Sequence, residues 1–339
     1  MTDAISNTLN LNNTDEANEL RLSVLMITYN HEKFIEQALR SILMQKTDFP
    51  FEIVIGDDCS SDGTRAIVLE FAAKYPGKFK LLLHDRNMGM MQNFFSTLKA
   101  CNSKYIAICE GDDYWIDPEK LQKQVHFLEN NANFSMCCHN VFAEEEDGNR
   151  SVLWQWDEIK YFTLSNLANG NFISTPSVVF LKTKFSVLHD KYLEAPFGDF
   201  ILHLFNARAG NICYMPDIMA VYRIHNQGVW TTRKSSTEKE IVLYTKFLHT
   251  NRMLLADFSD VDECRKSFNN GITESLNQLR FLHAKGRDAF LSRKFARMLL
   301  CHLFKIRKFN LHTFASCLVN VFFYKCFIRL IESVDETHS

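Results

Sequence analysis

The sequence lacks the features of zinc-finger, secreted and membrane-spanning proteins. Its ten cysteines include no Cys-x-x-Cys pair and no other metal-ligand spacing, which favours buried, reduced thiols. The N-terminus has no basic segment followed by an apolar one, so no secretory signal is predicted. In the C-terminal region the longest uncharged stretch, 310–324, is shorter than the ~20 residues that a membrane-spanning helix needs. A cytoplasmic protein is expected.

The chain also lacks an excess of charge of either sign. Its 38 Lys and Arg against 40 Asp and Glu give a net charge of −2, which predicts no nucleic-acid partner. No internal repeat or low-complexity tract is visible. A chain of 339 residues suits one large α/β domain with an appendage. Residues 1–20, rich in Asn, Thr, Asp and Glu, are predicted to be a disordered tail.

Strand-like and helix-like segments alternate through the first third of the chain. Each strand-like run is almost wholly apolar, which is typical of strands that are buried on both faces. This rhythm predicts a parallel sheet with helices on both of its faces. The predicted strands are 22–28, 51–55, 79–83 and 105–109.

The second half is less regular, and its C-terminal part is predicted to be all helix. Short strands are expected, and a helix is expected to begin near Asp199. From about residue 236 onward the pattern is helical throughout. The expected strands are 134–142, 177–181, 212–214 and 218–222.

Three acids follow the fourth predicted strand, in the string Glu110-Gly111-Asp112-Asp113-Tyr114-Trp115. Carboxylates clustered at the mouth of a buried strand repel one another and lose hydration. A divalent cation removes that cost, because Mg²⁺ and Mn²⁺ prefer oxygen ligands. The string therefore predicts a Mn²⁺ or Mg²⁺ site, with a solvated acidic turn as the alternative.

Two further acidic sites point to a nucleotide. Asp57-Asp58 follow the second strand, and Asp199 begins a helix after a proline and a glycine. Open α/β sheets bind ligands beyond the carboxyl ends of their strands. A base and ribose would lie near Asp58 and a diphosphate on a metal at Asp113, while Asp199 would accept a proton from an incoming hydroxyl.

Three strings, Val24–Asn30, Ile55–Thr64 and Glu110–Trp115, resemble the inverting family 2 glycosyltransferases of the GT-A fold. The likeness lies in motif, order and spacing, from about residue 22 to 230, and is greatest to bacterial enzymes that build capsule, O-antigen or other cell-surface glycans. It implies a Rossmann-like, mostly parallel sheet flanked by helices, with a C-terminal helical appendage. The implied domains are 21–233 (nucleotide-sugar half about 21–116, acceptor half about 117–233) and 234–339.

The resemblance also implies roles for individual residues. Asp58 would contact the uracil and ribose of a UDP-sugar, and Asp199 would be the catalytic base. Gly198 stands where many relatives have a second acid. The remaining implied roles are nucleotide binding for Thr28 and Asn30, sugar or ribose contact for Asp112, metal ligation for Asp113 and His225, and diphosphate contact for Arg223.

Several conspicuous residues have simpler interpretations. Asp57 is predicted to hold its turn rather than a ligand, and His203 to lie on a helix surface. Trp115 is predicted to floor the acceptor site, with core packing as the alternative. Trp154 and Trp156 have two alternative predicted roles, acceptor binding and core packing. The four acids at 144–147 are predicted to be a solvated loop.

Basic and aromatic residues alternate through 280–330, where only Asp288 opposes the positive charges. That pattern on amphipathic helices favours an anionic membrane surface. A helical appendage packed on the catalytic domain explains it equally well. Peripheral contact with the cytoplasmic face of the inner membrane is thus one of two open predictions.

The function predicted from the sequence is inverting, metal-dependent transfer of a sugar from a nucleotide sugar to a glycan or lipid-linked acceptor. A non-catalytic carbohydrate-binding or scaffold subunit of the same fold is the alternative. A sugar-nucleotide pyrophosphorylase fits less well, because the first strand runs into Thr28-Tyr29-Asn30-His31, with no glycine-rich loop for a triphosphate.

Overall fold

The protein is described here from a computed structural model, in the residues 20–182, 189–225, 236–286, 288–306 and 311–322. The tail predicted for 1–20 lies, apart from Leu20, outside the described residues. The chain forms two compact units. The first comprises the described residues to Phe162 with Ile173–His189 and Phe205–Arg223; the second comprises Thr163–Phe172, Asp190–Leu204 and the described residues from Ile224.

The first unit is built on one sheet with strand order β3-β2-β1-β4-β9-β6-β10-β5. The first three pairings in that order are parallel, with Leu22 opposite both Phe51 and Tyr105. Every residue of β1 and β4 is buried, as their apolar runs predict. The strands are β1 Leu22–Thr28, β2 Phe51–Asp57, β3 Phe79–Leu83, β4 Tyr105–Ile108, β5 Tyr114–Trp115, β6 Phe134–Glu145, β7 Arg150–Val152, β8 Lys160–Phe162, β9 Val179–Leu181 and β10 Asn211–Ile224.

Helices connect the parallel strands and bury their apolar faces on the sheet. Ile35, Ala38, Leu39 and Ile42 recur at helical spacing and join the same core cluster as β1 and β2. A 3₁₀ turn covers Thr175–Ser177. The helices that precede the C-terminal region are α1 Ile35–Leu43, α2 Thr64–Lys74, α3 Met90–Ala100, α4 Lys120–Asn130, α5 Leu164–Ala168, α6 His189–Tyr192 and α7 Asp199–Ala209.

The two strands predicted at 212–214 and 218–222 are one strand, β10. Its first part pairs with β8 and its later part with β5, at Ala220 and Val221. Pro216, which has no N–H to donate, lies between the two paired segments. A single long strand therefore pairs with both β8 and β5, and it ends beside the acids that follow β4.

The second unit contains the C-terminal helices, and its described residues from 236 onward are helical as predicted. Leu276, Leu279, Leu299 and Leu303 lie at the centre of a separate apolar cluster. None of the helices in the described ranges has the length and apolar character to cross a bilayer. The helices are α8 Thr237–Asp257, α9 Asp262–Lys285, α10 Ala289–Lys305 and α11 Leu311–Phe322.

The cysteines of the described ranges are free thiols, as their spacing predicts. Most of them are buried. Cys59 is half-buried and Cys301 is exposed.

Candidate active site

The carboxyl ends of β1, β2 and β4 meet around Thr28. The Thr28 carbonyl accepts a hydrogen bond from the Asp58 N–H at 3.0 Å, and the Ile27 carbonyl accepts one from the Gly111 N–H at 3.0 Å. The Thr28 hydroxyl is buried and has no hydrogen-bond partner among the described residues. The parallel register therefore brings the three predicted strand-end sites to one edge of the sheet.

Gly111 is required by the close approach of β1. A Cβ at this position would lie 2.7 Å from Thr28 Oγ1 and 2.9 Å from His31 Nδ1. Any side chain would push the acidic segment away from the end of β1. The glycine between the acids thus sets the distance of Asp112 and Asp113 from the strand ends.

The three acids after β4 form one carboxylate cluster. Oxygens of Glu110, Asp112 and Asp113 lie within 4.8 Å of one another. Asp113 is 1% exposed; its Oδ1 accepts a hydrogen bond from the Arg223 N–H at 2.9 Å, and its Oδ2 has no partner among the described residues. His31 Nε2 lies 3.6 Å from Asp112 Oδ2.

The surroundings of Asp113 disfavour its negative charge. Burial, followed by the charges of Asp112 and Glu110, holds the pKa of Asp113 well above its usual range, although the Arg223 N–H opposes this shift. Clustered carboxylate oxygens are the ligands that a hard divalent cation binds, and the cation neutralises their negative charges. The cluster fits Mn²⁺ or Mg²⁺. Glu110, one of the three acids of the predicted cation-binding string, belongs to it, although the family resemblance implied no role for this residue.

Arg223 joins the end of β10 to the acidic segment. Its Nη1 donates to the Asp112 carbonyl at 2.6 Å, and its Nη2 donates to Gln37 Oε1. The guanidinium carbon lies 4.3 Å from the centre of the Tyr114 ring and 5.1 Å from that of Phe34. The side chain is 10% exposed, so the structure places a fixed positive charge beside the carboxylates.

Glu144 is not part of a solvated loop, which corrects the prediction for this residue. Strand β6 continues through Glu145, and Glu144 is turned towards the site. Its Oε2 accepts hydrogen bonds from the Tyr114 hydroxyl at 3.1 Å and from Arg150 Nε at 2.6 Å, and its Oε1 lies 3.5 Å from Arg223 Nε. The three acids that follow it are exposed. Glu144 and Glu145 both continue the strand, and Glu144 is the one of the four acids that is not exposed.

Asp58 binds the backbone that follows β3. Its Oδ1 accepts a hydrogen bond from the Met88 N–H at 2.7 Å, and its Oδ2 accepts one from the Gly89 N–H at 2.9 Å. Gly89 has φ +87°, a conformation that favours glycine. Each carboxylate oxygen keeps a second lone pair, so the residue can accept from a ligand as well.

The loops after β1 and β2 hold each other. Asn30, at φ 56°, accepts a hydrogen bond from the Ser61 N–H at 2.8 Å through Oδ1, and its own N–H donates to Ser60 Oγ at 3.0 Å. Asp57 is fully buried, and its Oδ2 lies 2.5 Å from Arg65 Nε. Asp57 thus has the structural role predicted for it.

The predicted base and histidine ligand, Asp199 and His225, belong to the second unit. Asp199 lies in the first turn of α7, half-buried, and its Oδ2 accepts a hydrogen bond from Asn171 Nδ2 at 3.2 Å. His225 is buried. His203 is also fully buried, not on a helix surface, and neither ring nitrogen has a hydrogen-bond partner among the described residues.

Trp115 packs in the core and does not floor a site. Its Nε1 donates to the Pro176 carbonyl at 2.9 Å, and Lys120 Nζ lies 4.3 Å from the ring centre. Trp154 and Trp156 stack on each other with ring centres 5.2 Å apart, and Trp156 packs against Tyr214. The position of Trp115 next to the acidic cluster in the sequence was therefore a poor guide to ligand contact.

The sequence matches one protein family and several known proteins. The sequence profile of glycosyl transferase family 2 matches residues 23–192. A protein of Mycobacterium tuberculosis without an assigned function is 37% identical over 227 residues, which cover 64% of this chain and 63% of that protein. A UDP-Glc:α-D-GlcNAc-diphosphoundecaprenol β-1,3-glucosyltransferase of Escherichia coli is 30% identical over 163 residues, which cover 48% of this chain and 60% of that protein.

Solved structures share the fold at low sequence identity. Residues 1–349 of Staphylococcus aureus TarS in complex with UDP superpose with a TM-score of 0.53 and 17% identity, covering 94% of this chain and 92% of that one. A mannosyltransferase of Pyrobaculum calidifontis in complex with GDP-Man and Mn²⁺ superposes with a TM-score of 0.52 and 15% identity, covering 89% and 87%. These likenesses confirm the predicted fold class.

Proposed function

Because the chain belongs to glycosyl transferase family 2, we propose that it transfers a sugar from a nucleotide-diphosphate sugar to a hydroxyl of a glycan or lipid-linked glycan. A UDP-sugar is the donor that we propose. The aligned region spans only 63% of the length of the mycobacterial relatives. The identities of the donor and the acceptor are therefore proposed for this chain and are not taken from those relatives. The UDP-Glc-dependent relative in Escherichia coli supports this proposal, as does a putative teichuronic acid biosynthesis glycosyltransferase of Bacillus subtilis that is 30% identical over 125 residues. We propose a role in the synthesis of a cell-surface polysaccharide such as O-antigen or capsule. We place the reaction in the cytoplasm, at the inner face of the membrane.

The observation that carries the proposal is the buried Asp113 oxygen among three clustered carboxylates. A solvated acidic turn would expose its carboxylates to water, whereas Asp113 is enclosed. The donor set fits Mn²⁺ or Mg²⁺ held by Asp113, with Asp112 and Glu110 beside it, and His225 is proposed as a further ligand. Such a cation, when bound, neutralises the negative charge that develops on a diphosphate leaving group.

The ends of β1 and β2 are proposed to hold the nucleotide. The Thr28 hydroxyl is a buried donor without a partner in the described chain, and a ligand group would satisfy it. Asn30 is held in a left-handed conformation by Ser60 and Ser61, which fixes the loop edge. Asp58 is proposed to accept from the uracil and ribose. These assignments follow from position at the strand ends.

Arg223 is proposed to face the diphosphate. Its guanidinium is always charged and is already fixed by the Asp112 carbonyl, Gln37 and Glu144. A charge held before the substrate binds costs no reorganisation during the reaction. Asp112, whose carboxylate shares this region, is proposed to contact the sugar or ribose.

Asp199 is proposed as the base. Its carboxylate would take the proton of the acceptor hydroxyl as that oxygen bonds to the anomeric carbon, while the bond from that carbon to the diphosphate oxygen breaks with its electron pair. A single displacement of this kind inverts the anomeric centre. An α-linked donor would give a β-linked product.

The test is release of UDP from a panel of UDP-sugars, measured with Mn²⁺ and with EDTA, with and without glycan acceptors. We expect UDP release that depends on the cation. The part of that release that requires an acceptor should be lost in Asp199→Asn. Asp190→Asn, at an exposed aspartate of the same unit, is the matched control and should keep full activity. No cation-dependent release with any donor would indicate a carbohydrate-binding or scaffold protein.

A further inference from the structure

The outer side of α10 (Ala289–Lys305) carries basic and aromatic residues and no acid. The helix buries Ser292, Ala296, Leu299 and Leu303, which lie on one side at 3.6 residues per turn. Its exposed residues lie on the opposite side, within a stripe of about 120°. We call this stripe the α10 outer face; its members are Phe290, Arg293, Lys294, Arg297, Cys301, Phe304 and Lys305.

The two phenylalanines of the α10 outer face are exposed at opposite ends of the helix. Phe290 is 77% exposed, the highest value for a large apolar side chain in the described residues, and Phe304 is 56% exposed. With a rise of 1.5 Å per residue they stand about 21 Å apart. Exposed phenylalanine contributes little to folding, because burial of apolar surface is what stabilises. Their placement on one stripe indicates an external partner.

The charge of α10 differs from that of its neighbours. Helix α8 has three acids and three basic residues, Glu238, Glu240 and Asp257 against Lys239, Lys246 and Arg252. Helix α9 is similarly mixed. Helix α10 has four basic residues, all on the outer face, and no acid. The sequence from 289 to 330 contains eight Lys and Arg and no Asp or Glu. The change in charge therefore begins at α10.

We propose that the α10 outer face is a docking surface for an anionic lipid bilayer. The helix would lie flat, with both phenylalanines at the boundary of headgroups and acyl chains and the basic residues on the anionic headgroups. A second copy is a poorer occupant, since an isologous contact would bring two positive faces together. This choice between the two open predictions for 280–330 does not depend on the sugar-transfer reaction.

The test is co-sedimentation of the full chain with phosphatidylcholine vesicles, with and without phosphatidylglycerol, at low and high salt. Binding is expected only with phosphatidylglycerol and should fall as salt rises. At about fivefold per basic residue, the variant Arg293→Glu/Lys294→Glu/Arg297→Glu should lower the partition coefficient about 100-fold or more. Phe290→Ser/Phe304→Ser should lower it about 10-fold or more while keeping the salt dependence.

The matched control changes the same net charge elsewhere, at three exposed lysines. Lys74→Glu/Lys99→Glu/Lys266→Glu should retain vesicle binding within about threefold. No binding to phosphatidylglycerol vesicles by the unmodified chain overturns the proposal, and so does an equal loss in both triple variants. The proposal is also overturned if the α10 triple variant keeps its vesicle binding but has a changed sedimentation coefficient in free solution, since that result indicates a protein interface.

Folding and catalysis are followed in the same preparations. An unchanged melting temperature and unchanged donor hydrolysis in free solution would show that a loss of vesicle binding comes from the surface alone. Vesicle binding by a chain that hydrolyses no donor would contradict the proposed function and leave this inference intact.

Discussion

Asp113 combines two properties that a structural aspartate would not be expected to have. It is enclosed by protein, and two other carboxylates lie within 4.8 Å of its own. Without a cation its charge destabilises the folded chain, because burial and like charges raise its pKa. Asp113 therefore lowers the stability of the cation-free chain, as is expected of a residue that serves a cation site.

The first prediction concerns Asp113→Asn. Since the pKa of Asp113 is raised in the folded state, its contribution to stability is present at low pH and is lost as pH rises through the folded pKa. In EDTA at neutral pH the variant should therefore melt at a higher temperature than the unmodified chain. Its cation-dependent turnover should fall at least about 100-fold, because charge stabilisation worth several kcal/mol is lost. A variant that is less stable in EDTA at neutral pH would contradict this account of the site.

The second prediction concerns Glu144→Gln. The neutral amide keeps the shape but removes the charge beside Arg223, whose position it helps to fix. The contact is an ion pair at 3.5 Å, which contributes roughly 1 kcal/mol, so kcat/KM should fall about fivefold. Glu145→Gln, at the exposed neighbour, is the control and should have little effect. Equal activity in both variants, measured as donor transfer at several UDP-sugar concentrations, would show that Glu144 has no positioning role.

At the scale of elements, strand β2 and helix α3 approach closely at Gly56. A Cβ there would lie 2.0 Å from Thr97 Oγ1 and 2.3 Å from Asn93 Oδ1. Asn93 Nδ2 also donates to the Gly56 carbonyl at 2.9 Å, so the amide ties the helix to the strand end. The spacing between α3 and β2 depends on this glycine.

The third prediction is therefore that Gly56→Ala destabilises the chain. Overpacking of a filled core usually costs about 1–3 kcal/mol, and the upper end is expected because both contacting side chains are buried. The measurement is urea unfolding followed by circular dichroism. Gly170→Ala, where a Cβ meets nothing within 4 Å, is the control and should change stability by less than about 0.5 kcal/mol. Similar losses in both variants would mean that the close approach is not the cause.

Helix α7 buries a neutral histidine, which gives the fourth prediction. Burial lowers the pKa of His203 to about 3, below its ordinary value of 6.5. A depressed histidine pKa means that the unfolded chain binds the extra proton, so stability is lost as pH falls below about 6.5. The slope is up to about 1.4 kcal/mol per pH unit. His203→Leu should show a weaker fall between pH 6.5 and 4.5 in denaturant unfolding, and an unchanged slope would contradict the assignment.

At the scale of the whole molecule, the two units supply different parts of the proposed reaction. The first unit carries the strand ends with Thr28, Asp58, Asp113 and Arg223, and the second carries Asp199 and the C-terminal helices. Donor binding is thus proposed to depend mainly on one unit. The proposed base and the proposed lipid-docking face belong to the other.

The fifth prediction follows from donor binding to the folded chain. A ligand that binds only the folded state, at 100 times its Kd, stabilises it by about 2.7 kcal/mol, so UDP with Mn²⁺ should raise the melting temperature by about 5 °C. UDP in EDTA should raise it much less, because the clustered carboxylates would repel the diphosphate. GDP with Mn²⁺ is the comparison. A larger shift with GDP than with UDP would contradict the choice of a UDP-sugar.

Much of the first unit was predictable because its strands are short, apolar and regularly spaced. Strands β1 and β3 have the bounds predicted from their patterns. The family was also recognisable, since its motifs lie within single strand-to-loop segments. Arg223 was assigned to the diphosphate only through the family pattern. Its hydrogen bonds to the Asp113 carboxylate and the Asp112 carbonyl join residues about 110 positions apart, which no local pattern reveals.

Local chemistry determined the strands, the helices, the acidic strand ends and the one-sided charge of α10, because these depend on periodicity and on neighbours in the chain. Only the tertiary structure decided which acids share an enclosed cluster, that Glu144 faces Arg223, and that Trp115 and His203 are buried. Burial and charge pairing depend on strand order and register, and these are set by contacts between distant segments.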